Sequence, residues 1–320
     1  MPGRAFGLNL RAATAGEPSR RGTIYFRFQR VSALVPPRAL TPLPQADGMQ
    51  RVLWHRTPSG VSVYWDPIAL LRVPRLGPVR LRSRVPLPDV VPEVLNLALA
   101  LSLASRGYHV LHAAAVALPP GENDRPDSLQ GCVALLGPPG AGKSTLVCAA
   151  AASGLEVLSD EIVPFRLRGG RFECPGGNPH IRVAPDVARH FGAESIGERP
   201  GGKVLVDVTQ CGWAAVRRRL SLRALVVLGE RPRPGGPAIR AERMPPATAL
   251  LKCLTNTYDS RIMPGSRRRA NFTVCGAMAR ALPAYSLSTV EGLDNSREAA
   301  AWLGTLLRAP AMEREGSSFR

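Results

Sequence analysis

The fold of this chain is decided by residues 132–165, which read CVALLGPPGAGKSTLVCAAAASGLEVLSDEIVPF. The centre of this stretch, GPPGAGKS at 137–144, matches the phosphate-binding loop pattern G-x-x-x-x-G-K-[ST] at every defined position. The apolar run at 132–136 predicts a buried strand, and the Ala-rich run at 143–152 predicts a helix that ends before Gly154. The motif therefore has the strand and the helix that a phosphate-binding loop (P-loop) requires.

The residue types of the loop predict how it holds a nucleotide. Its glycines let the backbone turn tightly and aim N–H groups at phosphate oxygens, where the positive end of the following helix also points. Lys143 is expected to reach the β- and γ-phosphates, and Ser144 is expected to bind Mg²⁺. The predicted ATP-binding residues are Gly137, Pro138, Pro139, Gly140, Ala141, Gly142, Lys143, Ser144 and Thr145.

Two adjacent carboxylates, Asp160 and Glu161, follow the next predicted strand, LEVLS at 155–159. In a P-loop fold this strand is expected to lie beside the first one, so that its carboxyl end meets the phosphates at the same edge of the sheet. Carboxylates at this place can hold Mg²⁺ directly or through water, and one of them can accept a proton from an attacking hydroxyl. The alternatives are a solvated acidic turn or a helix N-cap.

A second motif lies just upstream, where GYHVLHAAAV at 107–116 carries His112 in a predicted apolar strand. Together, residues 107–165 resemble the HPr kinase/phosphorylase family and its related serine kinases. In that family a P-loop helix is followed at once by a strand that ends in an acidic pair. This chain differs in having Glu161 where Asp is usual, and Lys-Ser-Thr at 143–145 where Lys-Ser-Glu is usual.

The resemblance implies an ATP-dependent kinase that transfers the γ-phosphoryl group to a serine hydroxyl of a protein or peptide, with Mg²⁺. It implies catalytic roles for Asp160, Lys143 and His112, and metal ligation by Ser144, Asp160 and Glu161. A histidine in an apolar strand can equally be a packed, hydrogen-bonded core residue, and both interpretations of His112 stay open.

Other functions are compatible with the same loop. One is a small-molecule kinase, and another is a P-loop ATPase or nucleotide-sensing protein without transfer chemistry. A transporter ATPase is disfavoured, because no LSGGQ-like signature is present and the acidic pair comes only one strand after the loop.

The charge of the chain bears on its partners. Lys and Arg total 42 against 24 Asp and Glu, a net charge of +18, and only Lys143, Lys203 and Lys252 are lysines. The arginines are spread along the chain, and no known nucleic-acid module is recognisable, so an acidic protein or peptide is favoured over nucleic acid. Lys203 could contact phosphate or an acidic substrate, or simply be solvated.

The sequence also predicts where the protein is found. Its six cysteines show no Cys-x-x-Cys spacing and are predicted to be reduced thiols of a cytoplasmic protein. The N-terminal residues lack an apolar signal-peptide core, and the apolar stretch 94–104, interrupted by Asn96, is shorter than the ~20 residues that span a bilayer. No membrane anchor is therefore expected, while an oligomer is compatible with the sequence.

The predicted domains are a loosely ordered segment at 1–22, a small β-rich domain at 23–88, a P-loop nucleotide-binding kinase domain at 89–310 and a frayed tail at 311–320. In the β-rich part Tyr25, Trp54, Tyr64 and Trp65 are expected to pack the sheet, although a base-stacking surface would use the same rings. The fold class is thus α/β: a P-loop kinase core of HPr-kinase type, with helices around a mainly β central sheet, preceded by a small β-rich N-terminal domain.

Around the P-loop and beyond it, local patterns predict further elements. They are a helix at 89–106, a strand at 108–118, a hairpin turning at Gly169 and Gly170, a strand starting near Lys203, a core strand at 221–230, a helix at 245–257, a helix at 271–281 and a closing helix at 296–307.

Overall fold

A computed structural model of the 320-residue chain describes residues 2–5, 8–12, 23–34, 41–42, 52–66, 68–75, 77–121, 130–199, 202–229, 237–258 and 265–309. These residues form a mixed α/β protein with three sheets and six helices. The predicted frayed tail at 311–320 lies outside the described residues.

The N-terminal part is an eight-stranded sheet followed by a long helix. Its elements are β1 Pro2–Ala5, β2 Leu8–Ala12, β3 Thr23–Arg30, β4 Thr41–Pro42, β5 Val52–Thr57, β6 Gly60–Trp65, β7 Ala69–Pro74, β8 Val79–Ser83 and α1 Leu87–Ser105. The strand order is β1-β2-β3-β8-β7-β6-β5-β4. The strands β5 to β8 form a meander of antiparallel neighbours, as their alternating sequences and turn residues favour.

The first two strands lie within residues 1–22, where the sequence predicted a loosely ordered segment. Strand β2 pairs in parallel with β3, from Asn9 opposite Thr23 to Ala12 opposite Phe26. Strand β1 pairs with β2 within this segment, but β2 is joined to the rest of the sheet by β3, so the local composition does not reveal that pairing.

Helix α1 covers one face of this sheet and completes its hydrophobic core. Leu99 and Leu103 of the helix pack with Val63 and Leu81 of the sheet, and all four are fully buried. Trp54 and Trp65 also pack against this core, as predicted for the aromatic residues here. The core extends past residue 88, because Val110 and Ile162 belong to it as well.

The rest of the chain supplies twelve strands and five helices among the described residues. The strands are β9 His109–Leu111, β10 Ala114–Ala117, β11 Gly131–Leu136, β12 Glu156–Ser159, β13 Val163–Arg168, β14 Arg171–Cys174, β15 His180–Val183, β16 Ser195–Arg199, β17 Lys203–Asp207, β18 Leu220–Leu228, β19 Ile239–Arg243 and β20 Ala284–Thr289. The helices are α2 Lys143–Ala152, α3 Pro185–His190, α4 Pro246–Thr255, α5 Gly265–Ala281 and α6 Leu293–Arg308.

The order of the nine-stranded central sheet corrects one prediction. Strand β12 does not lie beside β11, because β10 is inserted between them and pairs antiparallel with both. On its other side β11 runs parallel to β18, which in turn runs parallel to β20. Strand β10 can occupy this position because its sequence, AAVA, is wholly apolar and every one of its side chains is buried.

A second correction concerns the strand predicted at 108–118, which is broken at His112 into β9 and β10. The two halves pair with different strands: β9 pairs with β13, whereas β10 pairs with β11 and β12. At the break, the backbone N–H of His112 donates to the carbonyl oxygen of Asn256 at 2.6 Å. The strand ends there because its hydrogen-bonding partner becomes the end of α4.

Most local predictions around these points are confirmed. Helix α2 covers the predicted 143–152, and the hairpin of β13 and β14 turns at Gly169 and Gly170, whose φ angles of 51° and 73° favour glycine. Strands β16 and β19 were not predicted; β16 pairs with β17 in a three-stranded sheet, and β19 pairs with β20.

The backbone packing at Gly177 can be tested, because this residue lies directly against the end of β12. A Cβ atom at this residue would lie 1.4 Å from the backbone oxygen of Leu158. We expect Gly177→Ala to lower the free energy of unfolding by about 2 kcal/mol or more, because the backbone must shift. As a control, Gly276→Ala in α5 meets only the Arg280 side chain at 3.4 Å and should be neutral or stabilising by up to ~1 kcal/mol. Urea unfolding of both variants measures this, and equal stabilities would contradict the described packing.

Candidate active site

The P-loop lies between the end of β11 and the start of α2. Gly140 and Gly142 have φ angles of 82° and 90°, in the left-handed region that favours glycine, and Gly142 is the N-cap of α2. A Cβ atom at either residue would meet nothing within 4 Å, so the backbone angle is the constraint and the loop faces open space. This is a backbone shape that directs N–H groups toward an anion at the N-terminus of a helix.

Lys143, at the start of α2, is held against the loop itself. Its ammonium donates to the carbonyl oxygens of Gly137 at 2.7 Å and Pro138 at 3.0 Å. Burial lowers the pKa of Lys143, whereas the nearby carboxylate of Asp160 acts to raise it. The Lys143 ammonium, which is the only charged group within residues 137–144, is therefore held at the backbone of the loop.

Asp160 directly follows β12 and points to the first turn of α2. Its Oδ2 atom accepts hydrogen bonds from Ser144 Oγ and from the backbone N–H of Arg182, both at 3.0 Å. Its Oδ1 atom is buried and has no hydrogen-bond partner among the described residues. Asp160 is only 3% exposed, unlike a solvated turn carboxylate, and burial is the main cause that raises its pKa to about 6.

Glu161 has a different environment from its neighbour. One carboxylate oxygen accepts a hydrogen bond from Asn96 Nδ2 of α1, and the other lies 3.4 Å from Nη1 of Arg182. Both oxygens of Glu161 are thus engaged by protein groups, whereas Asp160 keeps one oxygen without a protein partner. The two carboxylates that the sequence predicts as metal ligands therefore differ in whether an oxygen atom remains without a protein partner.

A magnesium ion fits the Asp160 side of this pair better. Mg²⁺ in nucleotide sites takes one or two protein oxygens and completes its shell with phosphate and water oxygens. Ser144 Oγ and the unengaged Oδ1 of Asp160 are donors of the required kind. Within the described ranges, no three His, Cys, Asp or Glu side chains cluster as a metal site.

His112 lies at the break between β9 and β10, with its ring stacked on Tyr258 at a centroid distance of 5.6 Å. Burial and, to a smaller degree, the charge of Lys143 lower the pKa of His112. The imidazole is therefore neutral at neutral pH, with one nitrogen that donates and one that accepts. The structure accommodates both sequence interpretations, because the ring is packed and also lies within electrostatic reach of Lys143.

Three residues that sequence reasoning did not assign to the site contact its members. Asn256, at the end of α4, accepts a hydrogen bond from the backbone N–H of Gly137 at 3.3 Å. Asn96 and Arg182 hold Glu161, as described above. Only Asn96 gave a local signal, because it is a polar residue that interrupts an apolar helix. Lys203 is exposed, yet its charge acts on the pKa of both Lys143 and Asp160, so it lies near the site.

Comparison with known proteins adds little to this geometry. No protein-family model and no curated protein matches the sequence. Among solved structures, the chain is similar to the HPr(Ser) kinase/phosphatase from Coxiella burnetii, with 13% identity and a TM-score of 0.30. The alignment covers 62% of this chain and 98% of that chain. At this level of similarity the comparison assigns no function, so the function is argued from the site.

The buried state of Asp160 predicts a pH dependence of stability. Its folded pKa of about 6 lies above the usual value of 3.8, so the folded protein binds this proton more tightly than the unfolded chain. The contribution is fully present below about pH 4 and is lost as the pH rises through 6. We expect the difference in unfolding free energy between the parent and Asp160→Asn to change by roughly 2.5 kcal/mol between pH 4 and pH 7.5, without nucleotide or magnesium. Denaturant unfolding at both pH values measures the difference, and a pH-independent result would contradict the buried carboxyl.

Proposed function

We propose that this chain is an ATP-dependent kinase that transfers the γ-phosphoryl group to a serine hydroxyl of a protein or peptide. The observation that carries the proposal is Asp160, a buried carboxyl with a raised pKa that is hydrogen-bonded to Ser144 in the first turn of the P-loop helix. A pKa near the working pH is what a general base needs, and such perturbed groups cluster at functional sites.

In this proposal the loop at 137–142 and Lys143 bind the phosphates of ATP. The backbone N–H groups and the N-terminus of α2 supply partial positive charge, and the Lys143 ammonium meets the β- and γ-phosphates. On binding, the ammonium exchanges its contacts with the carbonyl oxygens of Gly137 and Pro138 for phosphate oxygens. Because the lysine already lies at the loop, little reorganisation is required.

Asp160 accepts the proton of the acceptor hydroxyl, or else its free oxygen ligates the metal. Its Oδ2 atom is held by Ser144 and by the backbone of Arg182, so Oδ1 is the atom that remains for this task. Magnesium, bound through Ser144 and the acidic pair, would neutralise charge on the transferred phosphoryl group. Glu161 contributes less than Asp160 to binding the metal, because Asn96 and Arg182 already engage both of its oxygens.

His112 acts as a positioning residue in this scheme. Its neutral ring is fixed by stacking on Tyr258 and its backbone by Asn256, which also holds the N–H of Gly137. Its ring can orient a phosphate oxygen by donating a hydrogen bond, as the family resemblance implies.

An acidic protein or peptide is the proposed acceptor. Lys203 is exposed and its charge acts on the pKa of Asp160, so this lysine would attract negative charge to the site. A cytoplasmic location is part of the proposal, because all six cysteines are free thiols. None of the helices in the described part of the chain is long and apolar enough to cross a membrane.

The role of Lys143 can be separated from general charge effects. We expect Lys143→Ala to reduce phosphoryl transfer by about 100-fold or more, since the variant lacks the positive charge that stabilises the negative charge on the transferred group. Lys252→Ala is the matched control, because Lys252 is an exposed lysine of α4. Transfer from radiolabelled ATP to a serine-peptide library, with an alanine library as blank, measures both variants. Equal rates for the parent and Lys143→Ala would contradict the kinase proposal.

The acidic pair separates transfer from nucleotide binding. Asp160→Asn keeps the shape of the side chain but loses its proton affinity and charge, so ATP should still bind while transfer falls by about 100-fold or more. Glu161→Gln should have a smaller effect, because the amide oxygen can still accept from Asn96 or Arg182. ATP affinity by calorimetry and radiolabel release measure the two steps. Label that passes only to water would favour an ATPase, label on a small molecule would favour a small-molecule kinase, and a fully active Asp160→Asn would contradict the mechanism.

A further inference from the structure

A cavity of about 730 Å³ lies away from the P-loop, at the junction of the N-terminal sheet with the central part of the protein. It is lined by residues of β5, β6, β7, the C-terminal half of α1, β9, Tyr258 and the first turns of α5. Neither the P-loop nor the acidic pair lines it. The proposed kinase mechanism therefore makes no use of this space.

Three arginines line the cavity: Arg56 from β5, Arg75 from the residue after β7, and Arg267 from α5. Arg56 lies opposite Val61 in the β5–β6 register, and therefore on the same face of the sheet. Arg267 is oriented by a hydrogen bond from its Nη2 atom to the carbonyl oxygen of Tyr108. Burial and the charge of Arg56 both lower the pKa of Arg267, so the two guanidinium groups lie close enough to repel each other.

The walls between these cations are partly apolar, and Thr57, Ser105, His109 and Ser266 add polar groups to them. Val61 and Val73 contribute from the sheet, Leu101 and Ala104 from α1, and Tyr258 from the turn after α4. Among the described residues, the lining includes no aspartate or glutamate. The cavity thus combines a cluster of positive charge with apolar wall residues from the sheet and from α1.

We propose that this cavity binds a small-molecule anion that carries an apolar body, such as a medium-chain carboxylate. Guanidinium groups present paired N–H donors that match a carboxylate or phosphate, and an anion relieves the repulsion between arginines. The volume lies within the roughly 300–1,000 Å³ of small-molecule sites, whose walls are mostly apolar with a few polar groups that orient the ligand. This site is separate from the ATP site and does not depend on the kinase proposal.

Octanoate tests the proposal directly, by calorimetric titration of the full chain. We expect octanoate to bind in a 1:1 ratio. Octanol, which has the same apolar body without the charge, and inorganic phosphate, which has the charge without the body, should each bind at least about ten-fold more weakly. Equal affinity for octanoate and octanol, or for octanoate and phosphate, would overturn the proposal, as would no octanoate binding at millimolar concentration.

Two kinds of variant locate the binding. Arg56→Gln combined with Arg75→Gln should weaken octanoate binding by about ten-fold or more. The matched control is Arg72→Gln with Arg80→Gln, which removes two exposed arginines from β7 and β8 of the same sheet and should leave the affinity unchanged.

A variant of the apolar wall tests the location independently of charge. Ala104→Trp places a large ring into the cavity from α1 and should abolish binding while the melting temperature shows that the fold persists. If the control pair lowers the affinity as much as Arg56→Gln/Arg75→Gln does, or if folded Ala104→Trp binds octanoate normally, the site is elsewhere and the proposal fails. If one variant does not fold, the other still decides the question.

Discussion

The hydrogen bond from Ser144 to Asp160 joins the two segments on which the candidate site depends. Ser144 lies in the first turn of α2, and Asp160 directly follows the last residue of β12. The strands before these two residues, β11 and β12, are separated by β10, so the contact spans the width of a strand. Helix α2 makes this possible, because it packs across both β10 and β12. The small side chains of the helix, mostly alanine, let it approach the sheet closely.

The burial of the Asp160 carboxyl lowers the stability of the folded protein at its candidate site. A buried carboxyl is destabilising in its charged form, and the bonds from Ser144 and the Arg182 backbone offset only part of that cost. Its other oxygen has no partner among the described residues. A group of this kind persists when the surrounding structure fixes it, and here the tight passage of Gly177 against Leu158 fixes the end of β12.

Helix α1 connects the N-terminal sheet with the site. Its apolar face completes the core of that sheet, while Asn96 on the same helix holds Glu161. The core also includes Val110 and Ile162, the latter directly after the acidic pair. The β-rich part therefore shares its core with the rest of the chain, and removal of the sheet would expose the apolar face of α1 and alter the support of Glu161. The cavity lined by the three arginines lies at this same junction.

The sequence by itself determined the local framework: strand β11, the P-loop and helix α2, because apolar runs and glycine spacing act within a few residues. It also indicated the acidic pair at the end of β12, whose role in the site remains a prediction. Only the tertiary structure decided that β10 separates β11 from β12, that the strand breaks at His112, and that Asn256 contacts the P-loop. These features arise from strand pairing and side-chain contacts between segments distant in the chain. Their free energy is gained only when the segments meet, so no local pattern of residues records them.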